Sequence, residues 1–287
     1  MTSAGERTRA ILLTSVTMVA FAGNSLLCRL ALRDASIDPA SFTSVRLLSG
    51  ALTLLFIVML TRRQRALPQN GGWISSVVLV FYAITFSYAY VSLSAGAGAL
   101  ILFGCVQGTM IAVGLWRGDR PGGLEWLGWL LAFGGMAWLV LPGAAAPPAG
   151  GALLMAAAGV GWGLYSLRGQ SESDPIASNA TNFLLSIVFV ALLTALTWST
   201  AELTSRGIVI AIVAGSITTG IGYVIWYAAL DYLTAMQAAL VQLSVPAIAT
   251  AGGVLMLSEP LSLRLVASST LVLGGICIAL VTRQRTS

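Results

Sequence analysis

Apolar residues run in stretches of about twenty, without the two-residue alternation of a half-buried strand. Each stretch stops at a short cluster of Gly, Pro, Ser, Asp or Arg. About 20 apolar residues carry a helix across the hydrocarbon core of a bilayer. Ten such helices are predicted, at residues 9–31, 40–61, 72–92, 95–116, 125–142, 150–168, 177–198, 206–229, 235–257 and 262–282. The tightest connections fall at Ser92-Leu93-Ser94 and from Ser258 to Leu261, where only a turn fits. Broader breaks fall at Asp119-Arg120-Pro121-Gly122-Gly123 and across residues 143–151, which include Pro147-Pro148. The second of these separates two halves of five spans each, residues 1–146 and 147–287.

The ninth span departs from the pattern, because Gln242, Ser244 and Pro246 interrupt its middle. A proline there leaves the carbonyl one turn earlier without its helical partner, which a bilayer tolerates only against protein or a wet cavity. This span is therefore expected to bend at Pro246 and to face the protein interior.

Composition narrows the class. With 57% hydrophobic and 9% charged residues, an ordinary soluble domain is excluded, and the long runs exclude the ten-residue alternation of an outer-membrane barrel. The fold class is an all-α integral membrane protein. Arg7 and Arg9 before the first apolar run resemble the start of a signal peptide, but the run continues to Leu32 without a cleavage site, so a retained first span is expected. Cys28, Cys105 and Cys277 lie in three different runs without metal-ligand spacing. Free thiols are expected, with no metal and no cofactor.

All fifteen basic residues are Arg, and neither Lys nor His occurs. They gather at span ends, which points to membrane orientation rather than to a nucleic-acid partner. Assigning the termini and every second loop to one side places Arg7, Arg9, Arg62, Arg63, Arg65, Arg117, Arg120, Arg168, Arg283 and Arg285 there, against Arg29, Arg33, Arg206 and Arg264 opposite. The excess puts both termini in the cytoplasm. A shift of 140 residues lays Gly134-Gly135 on Gly274-Gly275, Ala99-Leu100 on Ala239-Leu240, Phe86 on Trp226 and Asp119 on Glu259. Repeated halves with an odd number of spans must enter the membrane in opposite directions, and such inverted repeats bind substrate at their midplane interface.

Few residues near mid-span carry polar chemistry. None of the ten acidic residues lies in the middle of a span, so the usual proton or sodium carrier is missing. Arg46, six residues past Ala40, admits two readings: a side chain snorkelling to the interface, or a contact for a substrate carboxylate. Tyr82, Phe86 and Tyr90 recur every four residues, and Tyr223, Trp226 and Tyr227 form a second aromatic group. Tyr90 and Trp226 lie near span ends, where an interfacial belt is expected; Tyr82 and Trp162 lie deeper and are expected to line a cavity. Asn24, Gln107, Asn182 and Gln242 need partners from neighbouring helices or from a polar ligand.

Trp162-Gly163, Ser258-Glu259-Pro260-Leu261, Gly274-Gly275 and Arg46, in this order and spacing, resemble the drug/metabolite transporter superfamily with its paired EamA-type repeats. Among its members the chain is most similar in character to amino-acid exporters of the YddG type. The first half departs from the family pattern: Ala22-Gly23 stands where many members have Trp-Gly, and Asp119-Arg120-Pro121 replaces the Glu-Pro-like turn. The resemblance implies a bacterial inner-membrane transporter, acting as a monomer, that exports a small neutral or zwitterionic solute such as an aromatic or other apolar amino acid. The expected substrate-binding residues are Trp162, Tyr82, Gln107, Gln242, Asn24, Phe86, Tyr223 and Arg46, with Pro246 as a hinge. Facilitated alternating access fits the missing ion carrier, and the alternative is a proton-coupled exporter of drugs or other metabolites. Organic-phosphate transport calls for clustered cations at depth, and an enzyme for a nucleophile with its base; neither set is present.

Overall fold

A computed structural model describes residues 4–61, 72–118, 120–143, 146–170 and 172–286. Arg62, Arg63, Arg65 and Asp119, which enter the orientation and repeat arguments, lie outside the described residues. Among the described residues, ten helices are long and apolar enough to cross a membrane. The first seven are α1 (Ala4–Arg33), α2 (Pro39–Leu60), α3 (Trp73–Tyr90), α4 (Ala95–Trp116), α5 (Gly123–Val140), α6 (Ala149–Gly169) and α7 (Pro175–Thr197). The eighth span joins α8 (Ser205–Val213), a π-helical segment (Ala214–Ile221) and α9 (Gly222–Leu230). The ninth comprises α10 (Ala235–Gln242) and α11 (Ser244–Leu257), and α12 (Leu263–Thr286) is the tenth.

Local chemistry accounts for the helix starts. Asp38 caps α2, accepting from the N–H groups of Ala40 and Ser41, and Asp174 caps α7 through Ala177 N–H; in both, proline occupies the first helical position, where no N–H is needed. Ser94 caps α4, Thr204 caps α8, and Thr234 forms a capping box with Gln237 at α10. The break in the ninth span falls at Leu243, so Pro246 sits in the first turn of α11, where its missing N–H interrupts no helical bond. Pro246 is buried, as expected, whereas Ser244 is exposed.

Helix neighbours follow the repeat. The first span of each half packs against the third and fourth spans of the other, α6 on α3 and α4, and α1 on α9 and α11. The second spans, α2 and α7, pair with each other, as do the fifth, α5 and α12. Glycine makes the last pairing close: a Cβ on Gly128 would meet the Gly275 carbonyl at 2.5 Å, and one on Gly135 would meet the Ser268 carbonyl at 3.1 Å. Shifting Gly128 and Gly135 by the repeat offset of 140 gives Ser268 and Gly275, so each contact is the other's counterpart under a pseudo-two-fold axis. Outward faces carry apolar side chains such as Leu255 and Leu263, more than four-fifths exposed, which a bilayer would cover.

At the end of the bundle opposite the termini, the loop between α1 and α2 is tied to the loop between α7 and α8. Ile37 and Leu203 form an isolated antiparallel bridge. Beside it, the Asp38 N–H donates to Glu202 O at 3.0 Å, and Asp38 Oδ2 accepts from Glu202 N–H at 3.0 Å. The Thr204 hydroxyl donates to Ser36 O at 2.6 Å. Asp38 lies outside the spans, and although partial burial pushes its carboxyl up, the Ser41 hydroxyl and the backbone N–H groups around it hold it below the ordinary 3.8.

Candidate functional site

Arg46 lies on the buried face of α2, with 1% of its surface exposed. Its guanidinium carbon stands 5.5 Å from the centroid of the Tyr82 ring and 5.0 Å from that of Phe86. Nη2 donates to the Tyr82 hydroxyl at 3.4 Å, while Nε and Nη1 are buried with no hydrogen-bond partner. A snorkelling side chain would bring its head to water; this one is held in the bundle centre, because close packing beneath it draws α2 inward. The chain at Gly215, in the π segment, abuts the Arg46 carbonyl and Ser49 too closely for any side chain, and Gly50 meets the Phe183 ring at 2.9 Å from its would-be Cβ.

Aromatic rings continue the wall from there. Centroids of Tyr82 and Phe86 are 5.4 Å apart, Tyr82 and Trp162 5.0 Å, Trp162 and Tyr223 5.4 Å, and Trp162 stacks on Tyr165 at 5.6 Å. Phe183 and Phe21 meet the Tyr223 ring edge-on at 6.2 and 6.1 Å. Such contacts are each worth about 0.5–1.5 kcal/mol beyond burial. Gly161 lets α6 close onto α3, since its would-be Cβ lies 3.3 Å from that of Tyr82. Five of the sequence-selected residues, Arg46, Tyr82, Phe86, Trp162 and Tyr223, thus converge from four spans. Asn24 on α1 joins them through the Tyr82 hydroxyl, which its side chain neighbours.

Other expectations fare differently. Gln107 is buried on α4 and Gln242 is half-buried beside the Leu243 break; among the described residues, no ring contact or hydrogen bond joins either to the cluster. Tyr90 does not join a lipid-facing belt: it is fully buried, its ring 4.8 Å from Phe86 and its hydroxyl 3.4 Å from Ala95 O, because α4 packs onto it at Gly98. Trp226 is half-buried against Phe21, at 5.8 Å. Asn182 finds protein partners, donating to the Tyr165 hydroxyl at 3.2 Å and accepting from Gly72 N–H at 3.2 Å.

Two groups escape sequence reading. Toward the termini, the Tyr165 hydroxyl donates to Asn179 Oδ1 at 2.5 Å, and Asn179 Nδ2 donates to the Tyr227 hydroxyl at 2.8 Å. These side chains border a cavity of about 10 Å³, roughly the space of one water molecule. Tyr165 follows Trp162 by three residues, and that helical spacing was the available signal. At the opposite end, Arg29 Nε and Glu259 Oε1 form an ion pair at 3.0 Å, with side chains 15% and 8% exposed. Glu259 Oε2 also accepts the Ala95 N–H at 2.8 Å, and Arg29 Nη1 donates to Tyr90 O and Val91 O. The two residues are 230 positions apart in the sequence, beyond any local pattern.

A buried guanidinium stays charged. The rings offset part of its desolvation, about 2 kcal/mol where water is excluded, and the ionisable groups that interact with it, Tyr82, Cys28 and Tyr223, include no carboxylate. The free N–H groups are suited to a carboxylate, which a guanidinium grips through two parallel bonds.

Ten spans in two interleaved halves around a central polar and aromatic cluster define a membrane carrier of the repeat type. The chain belongs to the EamA-like transporter family, which matches it twice, over residues 8–141 and 149–281. It is 52% identical over 275 residues to the uncharacterized protein PA1977 of Pseudomonas aeruginosa, covering 96% of each chain. It is also 26% identical over 244 residues to the uncharacterized transporter YwfM of Bacillus subtilis, covering 81% of each. A solved crystal structure at 18% identity superposes with a TM-score of 0.65, over 94% of this chain and 97% of the other; that likeness concerns the fold.

Proposed function

We propose that this transporter exports neutral amino acids with aromatic or other apolar side chains, by facilitated alternating access across the bacterial inner membrane with both termini cytoplasmic. One observation carries the reading: Arg46, fully buried with Nε and Nη1 unpartnered, against the rings of Tyr82 and Phe86. The guanidinium takes the substrate carboxylate, and Tyr82, Phe86, Trp162 and Tyr223 take the apolar side chain. Export without ion coupling is supported by the positions of the acidic residues. Glu125 is buried in the first turn of α5 and Glu259 at the loop before α12, both at span ends, and Glu259 is already engaged by Arg29.

Purified protein in liposomes tests this. Labelled neutral amino acid is expected to equilibrate with no gradient of pH, sodium or voltage, to show counterflow, and to lose transport by at least about a hundredfold in Arg46→Gln, as expected for a charged contact worth about 3 kcal/mol. Accumulation above equilibrium driven by a pH step would establish a proton-coupled exporter instead. Full transport of amino acids by Arg46→Gln would remove the carboxylate contact.

A further inference from the structure

We infer that the site recognises both charged ends of an α-amino acid, with Asn24 Oδ1 and Thr219 Oγ1 accepting the ammonium while Arg46 holds the carboxylate. The inference rests on the carboxylate reading of Arg46 and adds the second half of the zwitterion.

Two acceptors carry it. Asn24 on α1 is nine-tenths buried and its Oδ1 has no hydrogen-bond partner; Thr219, in the π segment, is 1% exposed and its Oγ1 has none either. Buried polar atoms are nearly always paired, so unpaired ones need an explanation. The adjacent Thr218 differs, since its hydroxyl donates to Ala214 O at 2.8 Å. Helix-internal bonding is therefore open to a threonine here, and Thr219 does not use it.

Packing brings the backbones that carry these residues together. A Cβ on Gly23 would lie 3.3 Å from the Thr218 methyl, so α1 and the π segment touch at the level of Asn24 and Thr219. On the other side of that segment, Gly215 lies against the Arg46 carbonyl. The Tyr82 hydroxyl closes the ring: Arg46 Nη2 donates to it and the Asn24 side chain neighbours it. A cationic donor and a neutral amide thus flank one hydroxyl.

Chemistry selects the ligand. An ammonium brings three donors and no acceptor, matching sites that offer oxygen only. An amine without a carboxylate would meet Arg46 as a like charge in a dry site. A carboxylate without an amine would satisfy Arg46 but leave Asn24 Oδ1 and Thr219 Oγ1 unpaired. A site with buried groups built to bond a substrate rejects the analogue lacking that group.

The experiment is competition for counterflow, and for binding to purified wild-type protein, with two matched sets: phenylalanine, 3-phenylpropanoate and phenethylamine; leucine, 4-methylpentanoate and 3-methylbutylamine. The expected order is amino acid ahead of the carboxylate by about tenfold or more, with both amines inactive. Asn24→Leu is expected to bring the amino acid to carboxylate ratio close to one, and Thr219→Val to lower it by a smaller factor. If wild-type protein takes the carboxylates as well as the amino acids, with Arg46→Gln abolishing both, the ammonium site is overturned and the carboxylate reading survives. If Arg46→Gln changes neither, both fall. The wild-type ranking decides even where a variant does not fold, and an unchanged ratio in a folded Asn24→Leu also overturns the assignment.

Discussion

Glu259→Gln tests whether the Arg29–Glu259 ion pair latches the end opposite the termini. The carboxylate ties three elements at once, Arg29 on the first span at 3.0 Å, the N-terminus of α4 through Ala95 N–H at 2.8 Å, and the loop that carries it. Removing one partner of a buried pair costs about 3–5 kcal/mol. Arg29 keeps two carbonyl acceptors, Tyr90 O at 3.0 Å and Val91 O at 2.9 Å, and is 15% exposed. The cost should therefore drop to about 2 kcal/mol, roughly a 30-fold shift toward the conformation open at that end. Cys28 is a built-in reporter, because it adjoins Arg29 on α1 and has no exposed surface. With Cys105 and Cys277 replaced by Ser, its labelling by an impermeant maleimide from that side is expected to accelerate about 30-fold in Glu259→Gln. Adding Arg29→Met should change the rate by less than the two single effects combined. An unchanged rate in folded Glu259→Gln would show that the ion pair does not latch this end.

Three further outcomes are expected. Trp162→Ala and Tyr82→Ala, at constant protein level, should each lower transport, since each ring touches at least two other members of the wall; normal flux in both would dismiss the wall as a substrate surface. Pro246→Ala restores an N–H near the Leu243 break, so kcat should change more than KM, and equal changes in both would refute a hinge role. Asp38 titrates below 3.8 in the folded protein, so its contribution to stability is present above that value and is lost as pH falls below it. Asp38→Asn should flatten the acid limb of a thermal-unfolding profile, and an identical limb would show that the loop contact with Glu202 does not depend on the charge.

Where physics is local, the chain was readable. Apolar run length located all ten spans. Helix α1 is already formed at Ala4, the first described residue, ahead of the apolar run, because polar residues can extend a helix beyond the hydrophobic pattern. The π segment gave no signal: one extra residue per turn alters register without altering composition. At the site, four-residue spacing exposed the stripe of Tyr82 and Phe86, but the buried state of Arg46 depends on glycines in distant spans letting α2 and α8 approach. Gln107 and Gln242 were selected for polarity at depth, and polarity alone does not say which neighbour a side chain meets. Long-range pairs such as Arg29 with Glu259 are products of the assembled bundle.

The seam between α5 and α12 has a further consequence. Gly128 facing Gly275 and Gly135 facing Ser268 are a reciprocal pair, the self-matching signature of an interface between two identical subunits related by a two-fold axis. A lone five-span unit inserted in both orientations would contain everything needed to rebuild this seam with its own copy. The linker between the halves fixes one copy of each orientation in every molecule, and frees the two versions of each position to diverge. Arg46 shows the outcome: with the second spans aligned at their starts, Asp38-Pro39 and Asp174-Pro175, it falls against Asn182, so the buried charge is present in one half only.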